Sequence, residues 1–169
     1  MEDPDSPQVE AADPVVEAIA RRLLGRGERL VVAESLTGGL LAGRLTALAG
    51  ASRWFLGGFV PYSDSAKQDW LGLPPEILER EGAVSRDAVR ALLCGLRERT
   101  PADWMMAASG YAGPSGDPAG RVYIGWDRKK PGPGWPVVRC FDFPGGRAAV
   151  RSQAVQAALE GLLDGLGEL

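Results

Sequence analysis

The chain has 169 residues, 45% of them apolar and 24% charged, which fits one soluble globular domain with a core of its own. A formal net charge of −3 argues against a nucleic-acid groove, which needs a basic stripe, but leaves room for one or two arginines to hold a small anion. Histidine is absent, which removes Ser–His–Asp and Cys–His catalysis and the usual nitrogen ligand of zinc; proton transfer at neutral pH then falls to lysine, tyrosine or a carboxylate.

Residues 1–12 are acidic and polar and read as a disordered tail, neither a secretory signal nor a transit peptide. Residues 13–169 read as one domain. Cys94 and Cys140 lack metal-ligand spacing and read as two thiols of a reducing cytoplasm. No apolar run is long enough to span a bilayer, so neither a membrane nor nucleic acid is an expected partner.

Asp13 followed by Pro14 is a helix start, with Val16, Ile19, Ala20, Leu23 and Leu24 at helical spacing and Gly25 or Gly27 as stops. A short strand follows from Arg29 to Ala33, then the turn ESLTGG and a helix from Leu40 to Leu48. A second strand runs from about Trp54 to Tyr62, where Gly57, Gly58 and Pro61 suggest twist or an edge position. Short helices are predicted around Ser65–Leu71 and over PPEILEREG. A helix capped by Ser85 places Val89, Leu92, Leu93 and Leu96 on one face. Trp104–Ala108 is the third strand; Gly120–Trp126 and Val137–Phe143 pair around KKPGPGWP; a last helix starts near Gly146. The pattern predicts an α/β fold, a three-layer α/β/α sandwich with a mixed sheet of about five strands.

Three strand ends run into small, polar or glycine-rich turns, ESLTGG, PYSDSAK and SGYAGPSG, and ligands gather at such carboxyl ends. Ser35 sits between strand and helix, just before Thr37, Gly38 and Gly39, where backbone N–H groups can approach a phosphate or an oxyanion. The plainer reading is that Ser35 or Thr37 caps the helix. Glu34 either orients a substrate group or fixes the turn. Lys67 has Tyr62 five residues before it and Trp70 one helical turn after, and burial between them would disfavour its charged form and supply a base. The plainer reading is a solvated lysine. The Tyr–Lys separation and the lack of a GxGxxG turn remove both supports for hydride transfer. Arg147, in the first turn of a helix, faces like partial charge, and Arg151 lies four residues on; a bound anion would turn the pair into a phosphate clamp, the alternative being solvated arginines. Ser109 and Gly110 open the third turn.

ESLTGGLLAGRLT, GGFVPYSDSAK, GAVS, SGYAGP, GRVYIGW and a late GGR before a helix, in that order, resemble the C-terminal domain of CinA, which also occurs alone as the nicotinamide mononucleotide deamidase PncC. The resemblance runs from about Val15 to the C-terminus. It implies hydrolysis of nicotinamide mononucleotide to nicotinate mononucleotide and ammonia, with no cofactor and no metal. Ser35 is implied as nucleophile, Lys67 as its base and Tyr62 as an assistant. Ser109 falls in the active-site turn, and Arg147 matches an active-site arginine. A homodimer is implied as well. Against the pattern, Leu36 stands where cysteine is common, Asp64 replaces an asparagine beside Lys67, and the turn after AGP is short. Those last two departures raise a second reading, a nucleotide-binding module without hydrolysis that acts through protein partners.

Overall fold

The computed structural model describes residues 13–167; the predicted tail and the last two residues lie outside the described residues. Helix α1 spans Pro14–Arg26, and the Asp13 carboxylate accepts from the amide of Val15 at 3.0 Å and also from that of Val16. Gly27, at φ 66°, ends the helix in the left-handed region where a side chain would be strained. Strand β1 (Leu30–Glu34) follows, then α2 (Leu40–Thr46), a single 3₁₀ turn (Ala51–Arg53) and β2 (Phe55–Phe59). The second strand is shorter than its sequence suggests, because its pairing stops at Phe59, two residues before Pro61, which has no N–H for a ladder.

Helices α3 (Asp64–Leu71), α4 (Pro75–Glu81) and α5 (Arg86–Arg99) lead to β3 (Trp104–Gly110). Ser85 caps α5 as predicted, its hydroxyl accepting from the Ala88 amide at 3.1 Å. Strands β4 (Arg121–Arg128) and β5 (Val137–Asp142) form the predicted hairpin, and α6 (Arg147–Leu166) closes the chain. The sheet order is β2-β1-β3-β4-β5, with β1 parallel to both neighbours and β3, β4 and β5 successively antiparallel.

Two cores lie on the two faces of this sheet. One unites α1, α2 and α6 with Leu30, Val32, Met106, Ile124 and Trp126. The other packs α3 and α5 on Val31, Ala33, Met105 and Ala107. Alternate residues of β1 therefore enter opposite cores, and every residue of LVVAE is buried, as a central strand of a three-layer fold requires. Gly95 lets α5 approach α3: a Cβ there would lie 2.0 Å from the Leu71 carbonyl oxygen. That contact fixes the helix carrying Lys67. The carboxyl ends of β1, β2 and β3 all emerge on one edge of the sheet.

Candidate active site

A cavity of about 190 Å³ opens at that edge, and five separate segments supply its wall. Ser35 and Leu36 come from the turn after β1, Tyr62 and Lys67 from the turn after β2 and from α3, Ser109 and Gly110 from the end of β3. Arg147 is the first residue of α6. Ala83 and Val84 enter from the loop between α4 and α5. Ser35 and Lys67, 32 residues apart in the chain, thus share one chamber.

The turn carrying Ser35 is held by several backbone hydrogen bonds. Its own amide donates to the Ala108 carbonyl at 3.1 Å, which extends the β1–β3 ladder by one residue. Its carbonyl accepts from the Gly38 amide at 3.1 Å. Gly38 and Gly39 adopt φ 58° and 96°, the left-handed geometry that lets the chain reverse into α2. Neither Ser35 nor Thr37 caps that helix. Its amino end is held by Glu34, which is 0% exposed and accepts from the amides of Gly39 (3.0 Å), Leu41 (3.0 Å) and Ala42 (2.8 Å). Of the two roles open to Glu34 in the sequence, the structure shows the turn-fixing one: both carboxylate oxygens accept from backbone donors, and Glu34 does not line the cavity. The same bonds correct the reading of Gly38 and Gly39, whose N–H groups are already donated within the turn. Thr37 is fully buried, does not line the cavity, and its hydroxyl has no partner among the described residues.

The second turn is built differently. Lys67 is buried, 2% exposed, while Tyr62 is 58% and Trp70 51% exposed. The lysine is therefore sequestered as expected, but Trp70 does not cover it. Its Nζ donates to the Tyr62 carbonyl at 3.2 Å and to Asp64 Oδ1 at 3.3 Å. No hydrogen bond joins it to Ser35 among the described residues. The Tyr62 hydroxyl faces the other way and accepts from Arg147 at 3.0 Å. Tyr62 thus touches Lys67 through its backbone and Arg147 through its side chain.

Arg147 also donates to the Gly113 carbonyl at 3.2 Å, which ties the SGYAGP segment to the site, whereas no residue of the short turn that follows it lines the cavity. Arg151 does not line the cavity. Its Nε donates to the Leu36 carbonyl at 2.9 Å and a terminal nitrogen to the Thr37 carbonyl at 3.1 Å. The expected two-arginine clamp is therefore corrected to one arginine at the cavity and one behind the nucleophile turn. Ser109, 1% exposed, donates to the Ala83 carbonyl at 2.7 Å and pins the loop wall to β3.

The sequence reading assigned no role to Ala83, Val84, Tyr111 or Ala112, which complete the wall. Their only signal was the GAVS and SGYAGP segments, apolar and glycine-bearing stretches whose spatial neighbours no local pattern reveals. Among the described residues no group of three Cys, Asp or Glu side chains is placed to hold a metal ion.

The CinA C-terminal domain model matches residues 12–166. The chain belongs to the CinA C-terminal domain family. A CinA-like protein from Desulfotalea psychrophila is 40% identical over 152 residues, covering 88% of this chain and 36% of that protein. One from Frankia casuarinae is 42% identical over 153 residues, covering 88% and 34% respectively. The chain thus spans about a third of the length of the curated relatives it matches. Among solved structures, the competence damage-inducible protein A of Klebsiella pneumoniae superposes with a TM-score of 0.86 at 37% identity, over 91% of this chain and 96% of that one. The CinA superfamily protein of Enterobacter cloacae gives 0.87 at 34% identity, over 99% of each chain. This CinA domain therefore shares its fold across nearly its full length with those proteins. No helix of the described residues is long and apolar enough to cross a membrane.

Proposed function

We propose that this CinA domain is an amidohydrolase that converts nicotinamide mononucleotide to nicotinate mononucleotide and ammonia. The observation that carries the proposal is the convergence of Ser35, Lys67 and Arg147 on one cavity from three different elements. A hydroxyl, an amine and a guanidinium are what hydrolysis of an amide on an anionic nucleotide needs: a nucleophile, a proton carrier and an anion ligand.

In this mechanism Lys67 accepts the Ser35 hydroxyl proton while Oγ bonds to the carboxamide carbon. The carbonyl electron pair moves to oxygen and is stabilised by a backbone N–H group of the nucleophile turn. The pair returns, the C–N bond breaks, and Lys67 gives its proton to the departing nitrogen, releasing ammonia. Water then repeats the sequence: Lys67 takes its proton, the C–Oγ bond breaks, and the proton returns to Ser35. Lys67 must turn from Asp64 and Tyr62 toward Ser35 as substrate enters. Arg147, held by a tyrosine hydroxyl and a carbonyl, exchanges these neutral acceptors for the 5′-phosphate, a stronger charge-assisted pair.

Ammonia release from purified protein, compared with Ser35→Ala, tests this directly. Release by the wild type and its loss in the variant is the expected result; equal release would remove Ser35 from the chemistry. The dependence on the 5′-phosphate tests Arg147, with nicotinamide riboside as a poor substrate. The Asp64 contact with Lys67 favours a second reading, in which the domain binds the nucleotide without hydrolysing it and acts through protein partners. Tight nucleotide binding with no ammonia at any pH would establish that reading. The homodimer implied by the family and the cytoplasmic location read from the two thiols remain part of the proposal, and gel filtration tests the first.

A further inference from the structure

The amides of the nucleophile turn divide into used and unused. Ser35 donates to Ala108, Gly38 to Ser35 and Gly39 to Glu34, whereas Leu36 and Thr37 have no acceptor among the described residues. Thr37 is fully buried and away from the cavity; Leu36 lines it. An unspent amide next to the nucleophile, on a residue that lines the chamber, is a candidate donor to an oxyanion formed at Ser35.

That amide is the last of a chain of linked peptide groups. A terminal nitrogen of Arg151 donates to the Thr37 carbonyl, and the N–H of the same peptide, that of Gly38, donates to the Ser35 carbonyl. The N–H of that next peptide belongs to Leu36. The C=O and N–H of a trans peptide point in opposite directions, so holding one end aims the other. A cation at the head of such a chain also polarises each link in the same sense. Arg151 Nε holds the Leu36 carbonyl as well, which fixes the peptide on the other side of Leu36.

We infer that the Leu36 N–H is an oxyanion donor and that Arg151 is the positioning residue that aims and polarises it, acting through the Thr37–Gly38 and Ser35–Leu36 peptides. This deepens the amidohydrolase reading and rests on it. Ser35 and its donor would then be set by a side chain more than one hundred residues away, before substrate arrives.

Replacing Arg151 tests the inference, with Arg151→Ala measured on nicotinamide mononucleotide. Loss of one oxyanion donor costs on the order of 10²–10³-fold in turnover, so a misaimed one is expected to lower kcat by about 100-fold. KM should change little, because the ground state does not use the donor. The readout that a merely structural role would not move is the affinity for the 3-aldehyde analogue of the mononucleotide, which adds Ser35 as a tetrahedral hemiacetal. Its affinity should fall in parallel with kcat, while that of nicotinate mononucleotide holds. An unchanged kcat, or equal losses in analogue and product affinity, overturns the inference. Should Arg151→Ala not fold, Arg151→Lys, which keeps one donor and the charge, is expected to give a smaller loss with the same split. A wild type that releases no ammonia overturns the hydrolase reading and this inference together; an active wild type matched by both variants overturns this inference alone.

Discussion

The two turns that face each other across the cavity are built on opposite plans. The Ser35 turn is buried and locked: Glu34 holds the amino end of α2 from one side, and Arg151 holds two carbonyls from the other. The Lys67 turn is exposed at Tyr62, Ser63 and Asp64, and its functional amine is held by one carbonyl and by a carboxylate that is 63% exposed. A nucleophile and its oxyanion donors gain from a fixed frame, because stabilising charge that is already in place needs no reorganisation during reaction. A proton carrier must instead change partners between Ser35, the leaving nitrogen and water. The difference suggests that rigidity is confined to the half of the site that does not move.

Four substitutions probe this contrast. Lys67→Met removes the proton carrier and should lower kcat by about 10²–10⁴-fold with the fold intact; near-full activity would show that the mobile half carries no chemistry. Arg147→Ala should raise KM for nicotinamide mononucleotide by about 10–100-fold through loss of a charge-assisted bond, with little change for the riboside. Equal effects on both substrates would detach Arg147 from the phosphate.

Glu34→Gln tests the locked half by stability. It replaces one carboxylate oxygen by an NH2 that cannot accept, and should cost about 1.5–3 kcal/mol, read as a lower denaturation midpoint at unchanged slope. A wild-type midpoint would mean that the turn is held by its glycines alone. The smallest effect is expected at Asp64. Asp64→Asn removes the carboxylate that competes for Lys67 Nζ and should raise kcat by a few-fold, since a solvated ion pair is worth only about 0–1 kcal/mol. A fall in kcat would show instead that Asp64 places the lysine.

Much of the fold was legible in the sequence because it is written in local periodicity and caps. Asp13–Pro14, Ser85 and the hydrophobic faces of α1, α5 and α6 located their helices, and the alternation of elements indicated the mixed sheet. The ordered motifs also picked out Ser35, Lys67 and Arg147, which line the cavity. Boundaries shifted by one to three residues, the most at the end of β2, which pairing with β1 rather than composition sets.

Partnership across the chain was not legible. Glu34 next to a serine looks equally like a ligand or a clasp, and two arginines four residues apart look like one clamp. Which is which depends on which backbone groups come within about 3 Å after the strands and α6 have packed. Arg151 meets the Leu36 and Thr37 carbonyls, 115 and 114 residues away. Sequence by itself determined which residue types and elements this domain has; tertiary packing alone decided which donors remain unspent, because hydrogen bonding is a short-range property of finished geometry.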